Sequence, residues 1–528
     1  MLIAILKNLR PLVNVFSDLY FRTVYYIFNC IYFFVTKQSV KRPEDHLLLL
    51  SATKAAKLIH DGELSSVDLV DAYIERIREV NGIINAVVQN DFIKARETAH
   101  EIDDFIKNHQ RSTEEYEAFF AGKPLLGVPF TLKDCIEVEG LVCSVGMTYR
   151  RDTRPDKDAI VVQRMKEAGA IVLAITNVPE VCMWWESVNT LYGRSKNPYD
   201  TRRITGGSSG GEAALIGAAG SVIGLGSDIG GSIRMPCNFN GIFGLKPTPG
   251  FVPLTGHWPA AEGYRVEMLR IGPMCRYAED LLLVLKVLVG NELAATLQLQ
   301  NPVNLRKLRL FYMEGLKTPF AQTVSFECKD AVRKAVMFFE TKYDVCGIRL
   351  DLPFAHYAVE FFLLSMEVPE SPSFARYMTD LTTDLNCLLE LGKWVVGKSN
   401  HTLPGIIAGI IDKQSPFNED QKAKLLAQRD RLNRELKELL LDDGILLFPS
   451  FPTVAPYHNQ PLFTPLNFAY TALWNTLALP VVQCPLGLNR WGLPIGVQAV
   501  GSPGTDRLLI ALARDLEDAF GGWRPAID

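Results

Sequence analysis

The chain lacks several features that would decide its chemistry at a glance. Its ten cysteines form no CxxC pair and no metal-ligand spacing, so they read as reduced core thiols of a cytosol-facing protein, and no metal or cofactor is called for. None of its eight histidines stands in a catalytic motif. A net charge of only −4 leaves no basic face for a nucleic acid. No Lys-Ser/Thr follows a glycine loop as a P-loop requires, and no acidic ribose partner is placed for a dinucleotide fold. No long polar linker divides the 528 residues, 48% of them hydrophobic, which favours one large body with insertions.

What is present is concentrated in residues 206–250, GGSSGGEAALIGAAGSVIGLGSDIGGSIRMPCNFNGIFGLKPTPG. Two serine sites walled by glycine stand there, Gly206-Gly207-Ser208-Ser209-Gly210-Gly211 and Gly230-Gly231-Ser232. Glycine permits positive φ and a close approach of ligand to main-chain N–H groups, which a structural loop seldom needs twice. Residues 212–219 read as a short buried helix and 221–226 as an inner strand between the two sites. The N–H groups of Ile229, Gly230, Gly231 and Ser232 form a candidate nest for the oxyanion that grows on an attacked carbonyl, which makes Ser232 the preferred nucleophile. Asp228 and Arg234 flank that loop as a structural pair, with Ser209 and Ser227 as supporting hydrogen-bond donors.

A serine hydroxyl needs a base. The candidate is Lys133, which ends the apolar run LGVPFTLKD at residues 126–134. Burial of a lysine favours its neutral amine, which can accept a proton; on that segment alone a strand-end lysine reaching for solvent is the plainer reading. The paired serine sites reverse the preference. Cys135, beside it, reads as a packing residue near the pocket.

With these blocks in hand (GGSSGGEAALI, GLGSDIGGSIRMP, GxFGLKPTPG and GVPFTLKD) the chain resembles the amidase signature family, and within it the membrane-associated fatty-acid amide hydrolases. The resemblance implies an α/β fold with a central twisted mixed sheet covered by helices. It implies a Ser-Ser-Lys triad in which Ser232 attacks an amide carbonyl, Ser208 relays a proton and Lys133 is the final base and acid, with a cis peptide at Gly207-Ser208. It also puts Cys182 and the neighbouring Met183, Trp184 and Trp185 near the acyl pocket, although aromatics at that density serve equally as core. The implied reaction converts fatty-acid amides, primary amides and N-acylethanolamines alike, to a fatty acid and an amine.

The other informative stretch is the N-terminus, apolar and aromatic from Leu12 to Thr36 but broken by Asp18, Arg22 and Asn29. No small-residue cleavage site follows, against a removed signal peptide. A spanning helix or an interfacial anchor both remain open. Lys37, Lys41 and Arg42 after the run, against Lys7 and Arg10 before it, place the catalytic body on the cytosolic side. The expected division is therefore an anchor with its basic flank over residues 1–42 and one catalytic domain over 43–528, its core near 126–250 and a divergent substrate-channel region near 305–418. Helices are expected at 52–60, from Ser65 or Ser66 to about Val80, at 91–108, 158–168 and 421–441, strands at 85–88, 170–175 and 445–448, and a polar loop over 110–122.

Two rival readings stand beside this one. Gly207-Ser208-Ser209-Gly210-Gly211 also fits the G-x-S-x-G nucleophile elbow of α/β-hydrolases, with Ser209 attacking as in a lipid esterase, but no Asp and His motif follows in order and Gly230-Gly231-Ser232 would have no role. Alternatively both loops are anion nests of a non-catalytic lipid-binding protein. The expected partners are a small lipid amide and a membrane surface, with no nucleic acid and with homodimerisation left open.

Overall fold

The computed structural model describes residues 10–526 apart from 112, 413 and 414. The apolar runs become strands: β1 (Val87–Asn90), β2 (Pro129–Lys133), β3 (Ile171–Thr176), β4 (Val188–Asn189), β5 (Gly193–Arg194), β6 (Ile223–Asp228), β7 (Phe243–Lys246), β8 (Arg270–Cys275), β9 (Arg309–Tyr312), β10 (Gly347–Arg349), β11 (Gly444–Phe448), β12 (Val481–Leu488) and β13 (Pro494–Val500). Eleven of them form one sheet in the order β1-β3-β2-β6-β8-β7-β12-β13-β11-β9-β10, while β4 and β5 pair only with each other.

The sheet is mixed, as expected. β3, β2 and β6 run parallel, whereas β8 joins β6 and β7 joins β8 antiparallel. Strands β2, β3, β6, β7, β8 and β11 are buried along their whole length, which is why they read as continuous apolar runs rather than alternating ones. One face packs against the helices Ser66–Ile84, Ala278–Val289, Phe326–Tyr343 and Asp506–Phe520, and a second apolar cluster gathers Ala358–Met366, Glu419–Leu440 and Ala469–Thr476.

Local signals explain the helix ends. Ser51 accepts from Lys54 N to start Ala52–His60, and Ser65 accepts from Asp68 N to start a helix that reaches Ile84 and stops at Asn85 in the left-handed region. Asn418 and Gln421 form a capping box at Glu419–Leu440, whose Leu425, Leu432 and Leu436 face inward. The stretch 110–122 is not simply a loop. Thr113 caps the helix Glu114–Phe120, whose acidic first turn suits the N-terminal dipole and whose Tyr116 is buried, so polar composition there marks a solvated helix face.

The N-terminal stretch forms the helix Arg10–Phe33, and among the described residues no helix is long and apolar enough to cross a membrane. That corrects the spanning alternative: Asp18 and Arg22, one turn apart and paired at 3.5 Å, interrupt the apolar surface. Lys7, one side of the flanking-charge comparison, lies outside the described residues. The helix instead lies along the body. Phe21, Val24 and Phe28 are buried, and Tyr32 stacks on Tyr457 with ring centroids 4.6 Å apart. Arg203 covers the Tyr457 ring at 3.8 Å.

Tyr457→Ala removes the ring on which Tyr32 and Arg203 both stack. The expected loss is about 2–4 kcal/mol, felt locally at the docked helix. Limited trypsin digestion checks it, with cleavage at exposed Arg22 expected well before the rest of the chain is cut.

Candidate active site

Parallel pairing of β2 with β6, in the register Thr131↔Gly224 and Leu132↔Leu225, brings the C-terminal ends of both strands together. Lys133 ends one and Ser227-Asp228 ends the other, at the edge where α/β sheets bind ligands. The loop leaving β6 carries Ile229, Gly230, Gly231 and Ser232. The loop 205–209, which opens the buried helix Gly210–Gly217, comes alongside, with Ser209 N donating to Ser232 O at 3.2 Å.

Lys133 is 1% exposed, and its Nζ lies 2.6 Å from Ser208 Oγ and 2.9 Å from Ser227 Oγ, both within hydrogen-bond reach. No carboxylate pairs with it among the described residues. The Gly207-Ser208 peptide is cis. Ser232 is 8% exposed, and no hydrogen bond joins its hydroxyl to Ser208 among the described residues. The three residues singled out from the sequence are thus gathered at one edge, with the Lys133 to Ser208 contact closed and the Ser208 to Ser232 contact open.

Ser209 lies elsewhere in the arrangement than the rival reading needs. It is fully buried, its hydroxyl donating to Ser227 O at 3.2 Å and accepting from Ser227 N at 3.3 Å. It ties the two loops together.

Asp228 and Arg234 form the expected pair, 0% exposed on both sides, with Arg234 Nε 3.0 Å from Asp228 Oδ2. The remaining guanidinium donors reach Thr471 O at 3.0 Å, Gln498 Oε1 at 2.9 Å and Asn475 Oδ1 at 2.5 Å, so the buried cation is fully served. Burial pushes the Asp228 carboxyl up, but the Arg234 charge and hydrogen bond, with Lys246 and Asn475 behind, outweigh it and hold the group well below the usual carboxylate range.

This pair also corrects the nest. Asp228 Oδ1 accepts from Gly231 N at 2.7 Å, so that N–H is spent on the loop itself. The N–H groups of Ile229, Gly230 and Ser232 have no acceptor among the described residues. Gly231 has φ +123°, and a Cβ there would meet Thr471 Oγ1 at 2.0 Å, which is why glycine is required. A Cβ on Gly230 would meet Phe362 at 3.0 Å and Phe468 at 3.8 Å. Those rings pack edge to face and belong to an apolar cluster with Met268, Ile229, Tyr264 and Met366, so one wall beside the nucleophile loop is greasy.

Cys182, expected among the substrate contacts, sits in the short turn Glu180–Cys182 with its N–H donating to Pro179 O at 2.9 Å. Its thiol faces Cys135, and burial with that neighbour pushes it well above the ordinary thiol range. Burial raises the Cys135 thiol too, yet the Cys182 hydrogen bond, with Lys133 and His257 close by, draws it below its ordinary value. The sequence reading missed His257: its Nε2 lies 2.9 Å from Ser227 Oγ, and Gly256-His257-Trp258-Pro259 offers no motif that could have found it.

Beneath the site, Glu212 fastens the Gly210–Gly217 helix to the strand that carries Lys133. Its carboxyl bonds to the Thr131 hydroxyl and, at 2.7 Å, to Thr176 Oγ1. Thr131 also bonds Ser221 Oγ at 3.0 Å, and one hydroxyl hydrogen serves only one of these, so a protonated Glu212 supplies the other. Burial accordingly raises the Glu212 carboxyl to about 8 despite the two threonine hydrogen bonds. Burial likewise raises Asp134, which accepts from Ser144, to about 7.

Glu212→Gln tests this. Because the folded value of about 8 exceeds the ordinary 4.5, folding holds a proton that the unfolded chain releases. Wild-type stability is therefore untouched by Glu212 below about pH 4.5 and declines as pH rises from there to about 8. Urea midpoints should show little benefit of the glutamine near pH 4.5 and a benefit on the order of 4 kcal/mol near pH 8.

Comparisons with known proteins follow the same lines. The sequence profile named Amidase matches residues 68–510. Human fatty-acid amide hydrolase 2 is 44% identical over 484 residues, covering 90% of each chain. Fatty-acid amide hydrolase 2-A of Danio rerio is 43% identical over 489 residues, again covering 90% of each chain. Among solved structures, one described as fatty acid amide hydrolase superposes with a TM-score of 0.71 at 23% identity, covering 92% of this chain and 87% of that one, a likeness of fold.

Proposed function

This chain belongs to the amidase signature family and is an amide-hydrolysing enzyme, and from that premise we propose that it cleaves fatty-acid amides with Ser232 as nucleophile, Ser208 as proton relay and Lys133 as base. The observation that carries the reading is Lys133 Nζ, buried and 2.6 Å from Ser208 Oγ, with hydroxyls rather than carboxylates for partners.

In the proposed cycle Ser232 Oγ bonds to the carbonyl carbon while its proton passes to Ser208, whose own proton passes to the Lys133 amine. Ser232 must come within hydrogen-bond reach of Ser208 for this, a contact that enzymes commonly tighten only during reaction. The oxyanion takes the free N–H groups of Ile229, Gly230 and Ser232. The same proton then returns through Ser208 to the amide nitrogen as the C–N bond breaks, which suits a leaving group that departs poorly unless protonated. Water attacks the acyl-enzyme by the reverse relay and frees the fatty acid.

A fatty acyl chain is supported by the relative named for fatty-acid amides and by the apolar wall of Phe362 and Phe468 against Gly230. Primary amides such as oleamide and N-acylethanolamines are the substrates we put forward. Alanine at 232 or 133 should lower kcat for oleamide by at least about a thousandfold, while Ser209→Ala acts through packing and loses less. Product mass spectrometry with a fluorophosphonate label at position 232 checks this, and undiminished hydrolysis by Lys133→Ala would reject the relay.

The membrane surface enters as an in-plane attachment in the same proposal, with residues 1–42 as its anchor, 43–528 as the catalytic body and 305–418 shaping the substrate channel. Phe16, Ile27, Ile31 and Phe34 of the N-terminal stretch are exposed although apolar, as are Leu388 and Val395 of the helix Cys387–Val395. Ile27→Glu with Ile31→Glu should release the enzyme from sedimented phosphatidylcholine vesicles about tenfold. Retained hydrolysis of a short soluble amide by the released variant separates attachment from chemistry.

A further inference from the structure

Behind the Lys133 contacts stands a residue that the proposed relay does not use. The loop bearing His257 is clamped to the chain just after Lys133: Ile136 and His257 bridge through the backbone, Trp258 N donates to Cys135 O at 2.9 Å and Glu137 N to Gly256 O at 2.9 Å. The imidazole is 9% exposed and held at both nitrogens, Nδ1 lying 2.9 Å from Pro259 O and Nε2 2.9 Å from Ser227 Oγ. A carbonyl oxygen only accepts, so Nδ1 carries hydrogen, and in the neutral ring Nε2 is left as a bare acceptor.

That assignment fixes a direction. Ser227 has one hydroxyl hydrogen, which goes to His257, and it presents its oxygen to Lys133 Nζ at 2.9 Å as an acceptor. An amine that donates to Ser227 keeps its lone pair for Ser208, 2.6 Å away. Were the acceptor at 257 missing, the Ser227 hydroxyl would be free to turn and donate to Nζ, competing with Ser208 for that lone pair. We propose that His257 is a positioning residue of the hydrolytic centre, which holds Ser227 as an acceptor and so aims the Lys133 amine at Ser208. The inference rests on the Lys133 relay proposed above.

The groups that face His257 are compatible with this. Lys133 and Cys135 come from β2 and the turn after it, with Cys182 behind Cys135, and Arg150 stacks on the neighbouring Trp258 ring at 4.5 Å. Cys135 Sγ lies farther off, 3.4 Å from Nε2 and 3.7 Å from Ser227 Oγ, than the hydroxyl that reaches the same nitrogen at 2.9 Å. Protonation of His257 turns Nε2 into a donor and abolishes the arrangement, so it needs an unprotonated imidazole beside an unprotonated amine.

The test uses the full chain with oleamide over a range of pH, alongside thermal melts. His257→Phe, which keeps a ring but no acceptor, should lose about thirtyfold in kcat with KM within about threefold, and His257→Gln, whose side-chain oxygen can accept, should recover to within about fivefold of wild type. In the Ser227→Ala background, which has no hydroxyl to turn, His257→Phe should cost less than about twofold more. The acid limb of log kcat against pH should change from a two-proton slope in wild type to a one-proton slope in His257→Gln. Should His257→Phe melt too low to assay, the His257→Gln slope decides alone. An unchanged two-proton limb, equal losses from His257→Phe with and without Ser227, or the whole effect reproduced by Cys135→Ala would overturn the proposal while an inactive Lys133→Ala leaves the relay standing. Activity surviving in Lys133→Ala removes the relay itself.

Discussion

Everything near the site is arranged around a lysine amine held out of water with serine hydroxyls as its neighbours. Such a group cannot be placed by a flexible loop. Its backbone belongs to β2, locked between two parallel partners, and the Glu212 to Thr131 bond ties that strand to the helix that follows Ser208. Position is thus imposed from three directions by parts of the chain that are themselves buried.

The second constraint is the Asp228 and Arg234 pair. An isolated buried charge of either sign would be costly, and here each charge is spent on structure: Asp228 gathers Gly231, Ile233 and Arg234 N–H groups, and Arg234 reaches the far strand and helix through Gln498 and Asn475. The loop of residues 229–232 therefore keeps its shape by internal bonds. The Gly231 N–H group is consumed in the process, while those of Ile229, Gly230 and Ser232 have no acceptor among the described residues.

Much of this was legible in the sequence because it depends on local pattern. Helices at Ala52–His60 and Glu419–Leu440 follow from a cap and an apolar stripe, and the fully buried strands from short apolar runs. The helix Glu114–Phe120 escaped because its charged residues resemble a loop's until the burial of Tyr116 is known. The apolar N-terminal stretch, broken by charges, left a span and an interfacial anchor open, yet its helix lies along the body with Phe21, Val24 and Phe28 inward, a choice made by the surface it meets.

The serine loops could be singled out because two glycine-walled serine sites are unusual in composition wherever the chain carries them, and they in turn drew attention to Lys133 at the end of its apolar run. Sequence alone therefore determined which side chains to put forward for the proposed chemistry. Which of them touch was decided only by the parallel pairing of β2 with β6, which sets Lys133 between Ser208 and Ser227. His257 and the Asp228 hold on Gly231 were beyond reach for the same physical reason: a hydrogen bond's direction depends on what faces each atom across space, and nothing in the order of residues records it.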